Sequence, residues 1–121
     1  RQGGATATSW NNNNIAGVWR TLAYTPADLG YCAIEMGFGK PLDGIKTSSL
    51  MARPHVSVLT TVAQAHIDAF PPDMLKKRSG LELISDHKSM IFDGLEKDGV
   101  AVIGRSNPYY QRAAAYARKM G

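Results

Sequence analysis

The chain has 121 residues, 44% of them hydrophobic and 20% charged, which fits one globular domain or part of one and excludes a disordered chain. The net charge of +4 comes from basic residues scattered outside Lys76-Lys77-Arg78 and Arg118-Lys119, so no nucleic-acid partner is expected, although an anionic ligand would suit the bias. A single cysteine, Cys32, excludes an intrachain disulfide, and no apolar run reaches the roughly 18 residues of a membrane span, so neither export nor a membrane partner is expected.

The chain opens abruptly on Arg1-Gln2-Gly3-Gly4, as a chain entered midway would. Residues 5–8 read as a short strand, and 15–24 as a helix capped by an asparagine of "SWNNNN". After a turn at 26–30, Tyr31-Cys32-Ala33-Ile34 reads as a buried parallel strand, with Cys32 as a small buried hydrophobe suited to a reducing cytosol. A helix over 43–52 ends at Pro54, and the β-branched run "HVSVLTTV" (55–62) is a strand. A polar loop leads to a helical pattern over 75–95, a strand over 99–103, and a last helix opened by Pro108 behind a capping Asn107.

Alternating strands and helices give an α/β fold: a mostly parallel sheet with flanking helices and right-handed crossovers. Its strands then share one carboxyl edge, where open α/β sheets bind ligands. Glu35 ends one strand, His66 and Asp68 follow the next, and Arg105, Ser106 and Asn107 follow the third. A charge inside "YCAIEMG" costs several kcal/mol, roughly, if buried without a partner, so Glu35 belongs either to a ligand-edge cluster or to a loop whose backbone amides cap it. A carboxylate and an imidazole at one edge could share a Mg²⁺ completed by water and phosphate, or His66 could be structural. Lys88 interrupts the apolar stripe Leu81, Ile84, Ile91, Leu95; it either snorkels from the stripe's margin or turns into the active edge. "GIKTSS" and "GFGKPL" lack phosphate-loop spacing, and no serine-hydrolase or zinc motif occurs.

Taken in order, "WNNNNIAGVWRTL", "YCAIEMG", "MARPHVSVLTTVAQAHIDAF", "HKSMIFDGLEKDGVAVIG" and "SNP" closely resemble the central, ATP-binding domain of the Mur ligase family, above all its D-alanyl-D-alanine adding branch, from about Thr8 to Tyr110. The resemblance implies a P-loop-type domain that uses ATP and Mg²⁺ to activate a carboxylate as an acyl phosphate for attack by an amino acid or peptide amine. That chemistry belongs to peptidoglycan precursor synthesis in the cytoplasm. It implies Glu35 and His66 as Mg²⁺ ligands and Lys88 as the lysine carbamylated in many members, where it serves a second Mg²⁺. Asn13 and Asn14, with Asn11 in support, fall on the paired asparagines of G-N-x-N-N near the phosphates, and Asn107 falls near the adenosine side.

Three departures suggest a divergent branch. Gly104-Arg105-Ser106-Asn107-Pro108 stands for N-A-D-[DN]-P, Trp10 for the glycine of the asparagine motif, and "FGKPLDG" for an asparagine-histidine-proline segment. The family's G-K-[ST] loop is expected ahead of Arg1, with flanking N- and C-terminal domains in the parent chain. Residues 1–121 would then be the later part of the central domain and not a competent ATPase alone. Two other classes stand beside this expectation: a related poly-glutamate, cyanophycin or folate-polyglutamate type ligase, and a non-catalytic nucleotide-binding or interaction module.

Overall fold

The computed structural model describes residues 4–120; the abrupt opening at Arg1 to Gly3 lies outside the described residues. Strand β1 (Ala5–Ala7) leads to α1 (Ile15–Tyr24), then β2 (Tyr31–Ala33), α2 (Gly44–Ala52) and β3 (Val56–Leu59). A 3-10 turn (Ile67–Ala69), the short α3 (Pro72–Leu75), α4 (Gly80–Ser89), a second 3-10 turn (Met90–Phe92), β4 (Val100–Ile103) and α5 (Tyr110–Met120) complete the order. The strands form two parallel pairs, β1 with β2 (Ala5↔Tyr31 to Ala7↔Ala33) and β3 with β4 (Val56↔Val100 to Leu59↔Ile103). The expected α/β class with parallel strands and flanking helices is what the chain adopts, but among the described residues the strands pair two by two and not in the single sheet expected. No helix among the described residues is long and apolar enough to cross a membrane.

Two apolar clusters anchor the helices. Val62, Phe70, Leu83 and Ile84 form one, against Phe38, Leu42 and Ile67; Leu59, Phe92 and Ala113 form the other, against Ile91, Ile103 and Tyr116. Helix α2 packs on α1 and on the second 3-10 turn, and so joins the two strand pairs. Its Ser49 hydroxyl donates to the Ile91 carbonyl (2.6 Å), as does Ser57 of β3 (3.1 Å), and Ser49 Oγ accepts from Gly94 N–H. Asp86 on α4 is bound by Arg78 (2.6 Å to Oδ2) and by both Nε and Nη2 of Arg112 on α5. Burial pushes the Asp86 carboxyl up, but the two guanidinium groups outweigh it and hold it below the ordinary carboxylate value.

Several expectations are corrected. Strand β2 is exposed at all three residues, Cys32 included, because β1 is its one strand neighbour and no layer covers its faces among the described residues. An apolar run reads as buried only if both faces are covered. The helix expected over 75–95 is broken. Ser79 starts α4 with a capping box, its Oγ accepting from Glu82 N–H while Glu82 Oε2 accepts from Ser79 N–H, and this S-x-x-E signal was missed. At the other end, the hydroxyls on the Ile91 carbonyl accompany a tighter 3-10 turn, so Leu95 does not share the helix of Lys88. The strand expected over 55–62 is shorter, Val56–Leu59, and the last helix becomes regular at Tyr110, two residues beyond Pro108.

Candidate functional site

The end of β1 sets the first element of the site. Thr8 N–H donates to the Ala33 carbonyl (2.9 Å), extending the ladder, and Thr8 Oγ1 then accepts from the backbone N–H of Glu35 (2.9 Å). Glu35 is thereby fixed just beyond β2. Its Oε1 accepts from Asn13 Nδ2 at 2.9 Å, a pairing in which the acceptor-only carboxylate settles which end of the amide faces it. Asn13 also receives Gly37 N–H on its backbone carbonyl (2.7 Å), so the asparagine loop and the loop after β2 are joined twice.

Local sequence explains the approach. Asn14 caps α1, its side chain accepting from Gly17 N–H (2.9 Å), which turns the preceding residue toward β2. Gly37 leaves room for the amide: a Cβ there would stand 2.6 Å from Asn13 Oδ1 and 2.7 Å from its Cγ, so the Asn13 side chain would have to move. Trp10, where the resembled motif has glycine, keeps a left-handed backbone (φ 53°) that glycine adopts freely, and its side chain is 93% exposed.

Asn13 and Asn14 line a cleft of about 360 Å³ with the first residues of α1, Gly37, Phe38, Gly39, Lys40, Pro41, Gly44 of α2 and His66. His66 precedes the first 3-10 turn with φ 53°, a left-handed conformation uncommon outside glycine. Strain of that kind, on the order of 1–3 kcal/mol, collects at functional positions. Behind the wall, the rings of Phe38, Phe70 and His87 pack with centroids 5.5, 6.1 and 5.2 Å apart, and His87 Nδ1 lies 3.0 Å from the Leu42 carbonyl.

The structure therefore gathers Asn13, Asn14 and His66 around one cleft and attaches Glu35 to it through Asn13. The other candidates stand apart from its lining. Lys88 is half-buried and donates from Nζ to the Thr61 carbonyl (3.2 Å), just past β3, so it turns toward the carboxyl edge; burial pushes its pKa down. It takes part in no ion pair among the described residues. Asn107 is buried in the turn ahead of α5: its Oδ1 accepts from Tyr109 N–H (3.0 Å), while its Nδ2 finds no acceptor. Asn11 is exposed on the loop, and Arg105 lies over the Tyr110 ring (5.2 Å). No three His, Cys, Asp or Glu residues among the described residues are grouped to hold a metal ion. Sequence reasoning missed Thr8, Thr61 and Lys40. Thr8 was legible, since the edge rule that picked Glu35 applies equally to a polar residue ending β1.

A family model described as the Mur ligase middle domain matches residues 1–121. The chain belongs to the Mur ligase middle-domain family. Among curated relatives, it is 30% identical over 100 residues to a UDP-N-acetylmuramoyl-tripeptide–D-alanyl-D-alanine ligase of Escherichia coli, covering 83% of this chain and 20% of that protein. It is 25% identical over 114 residues to the ligase of the same name from Rickettsia prowazekii, covering 94% of this chain and 23% of that one. A crystal structure of MurF from Acinetobacter baumannii superposes with a TM-score of 0.82 at 22% identity, over 97% of this chain and 24% of that one, which establishes a shared fold. This Mur ligase middle-domain chain spans under a quarter of the length of the curated relatives cited.

Proposed function

We propose that residues 1–121 are the later part of the central nucleotide-binding domain of an ATP-dependent amide ligase, the phosphate-binding loop and flanking domains coming from elsewhere in the parent protein. The ligase activates a substrate carboxylate as an acyl phosphate, which an amino acid or peptide amine attacks, in peptidoglycan precursor synthesis. A cytoplasmic location goes with this reading. The observation that carries it is the Asn13–Glu35 junction at the carboxyl end of β2, opening on a cleft shared with Asn14 and His66.

A carboxylate at the cleft's edge suits Mg²⁺, which keeps most of its positions for water and phosphate oxygens and leaves room for one imidazole. Glu35 and His66 would hold it. When bound with ATP, it supplies charge neutralisation at the transferring phosphoryl group. Thr8 and Asn13 fix where the Glu35 carboxylate stands. Lys88 is held at the Thr61 carbonyl where burial disfavours its ammonium form, and the neutral amine is the form that adds CO₂ to give a carbamate and a released proton.

In the full-length protein, Glu35→Ala and His66→Ala should each lower Mg²⁺-dependent turnover of UDP-N-acetylmuramoyl tripeptide with D-alanyl-D-alanine by about 100-fold or more. Near-full turnover in either variant sinks the assignment. Labelling with ¹³C-bicarbonate should give a carbamate signal that Lys88→Ala removes, and short carboxylates should restore part of that variant's activity. Neither effect would leave Lys88 structural.

A second reading, a related ligase with a different acceptor, is favoured by one observation: the departure from the asparagine-histidine-proline pattern falls in the cleft wall at Phe38, Lys40 and Pro41. Acceptor profiling of the full-length protein separates the two.

A further inference from the structure

One charged side chain in the cleft has no assigned use. Lys40 lines it beside Asn13, Asn14, Phe38, Pro41 and His66, and no carboxylate is among the lining residues. Lys40 takes part in no ion pair among the described residues, unlike Lys46, which reaches Asp93, and Arg53, which pairs with Glu96. The cleft walls thus present a lysine ammonium, amide donors and an imidazole, with the Glu35 carboxylate held on the far side of Asn13. Two helices add the same sign. The first residues of α1 and of α2 both line the cleft, and the Asp43 side chain makes no bond to the α2 terminus, so N–H groups there are left without a side-chain cap.

A ligand filling a cleft of about 360 Å³ displaces water from around Lys40, and a charge pair is stronger where water is displaced than in bulk solvent. We propose that Lys40 is a specificity-determining contact whose ammonium holds an anionic oxygen group, a carboxylate or a phosphate, of a ligand in this cleft. The proposal deepens the ligase reading and rests on it for the choice of probes. The divergent segment then serves to select a ligand by charge.

The test is calorimetric binding of ATP, inorganic tripolyphosphate and UDP-N-acetylmuramoyl tripeptide to the full-length protein and to its Lys40→Met and Lys40→Arg variants. Lys40→Met should weaken binding by about tenfold and Lys40→Arg should stay within about threefold of wild type, since the charge is kept. Weakening confined to ATP and tripolyphosphate assigns a phosphate; weakening confined to the tripeptide assigns an acceptor carboxylate, with UDP as the control for its diphosphate. Unchanged affinity for all three probes in Lys40→Met overturns the proposal. So does a Lys40→Arg variant as weak as Lys40→Met, or a wild-type protein that binds none of the probes. Failure of the ligase reading appears separately, as absent turnover in a wild-type protein whose tripolyphosphate binding still reads Lys40.

Discussion

Asn13 Nδ2 donates to Glu35 Oε1 at 2.9 Å across 22 residues of sequence, and with the Gly37 N–H bond to the Asn13 carbonyl it ties the loop ahead of α1 to the end of β2. Both partners are at least partly open to solvent, so the bond contributes little to stability and much to where the carboxylate points.

Gly37 makes that bond possible, which leads to a mutational expectation. In Gly37→Ala the new Cβ would crowd Asn13 Oδ1 and Cγ at 2.6 and 2.7 Å, and the flexible amide, rather than backbone, would give way. The protein should lose little stability, within about 0.5 kcal/mol, because a side-chain end can swing aside. Mg²⁺-dependent turnover should fall by about 10- to 100-fold as Glu35 loses its orienting partner. Thermal denaturation and kinetics of the full-length variant check both; a variant that keeps full activity would mean that the Asn13 contact is dispensable.

Lys88 carries a pH dependence with a definite sign. Burial lowers its folded pKa below the ordinary 10.5, so between those two values the unfolded chain binds more protons than the folded one. Stability should therefore rise with pH through that window, and the rise should be missing in Lys88→Met. Denaturant midpoints measured in steps toward 10.5 test it, alongside a lysine-selective NMR titration in which the Lys88 signal moves at lower pH than the surface lysines.

Tyr116 behaves in the opposite sense. Burial, and then its hydrogen bond to Asp93 Oδ1 (2.7 Å), push the phenol above its ordinary 10.0. The folded state thus holds a proton that the unfolded state releases, and the stability this contributes is present below 10.0 and lost as pH climbs beyond it. In an alkaline absorbance titration, one tyrosine should ionise only as the protein unfolds, and Tyr116→Phe should remove that step while costing about 1 kcal/mol at neutral pH.

How much of this was legible depended on whether a signal was local. The cap at Asn14, the helix over Ile15–Tyr24 and the short strand at Ala5–Ala7 follow from side chains acting on adjacent backbone, and they stand where the sequence puts them. The start of α4 is equally local: the Ser79–Glu82 box fixes it, whatever apolar stripe runs on through Lys88. Burial was a different matter. The apolar character of Tyr31 to Ala33 says what a strand could bury, and only its neighbours decide whether it does. The site divides the same way. The edge rule picked out Glu35 and His66 because strand ends are visible in sequence. It could not show that Asn13 turns onto Glu35, or that a segment without phosphate-loop spacing becomes a cleft wall carrying Lys40.

The ring cluster behind that wall has a mechanical meaning. Phe38 follows Gly37, and His87 precedes Lys88, so the mutually tilted rings of Phe38, Phe70 and His87 connect the rim of the cleft to the helix that carries the candidate carbamate. Closely packed interiors transmit strain between neighbours. A guest that touches Phe38 thus meets a side chain already packed on the residue that precedes Lys88, so the cleft rim and the helix of the candidate carbamate share one packed contact.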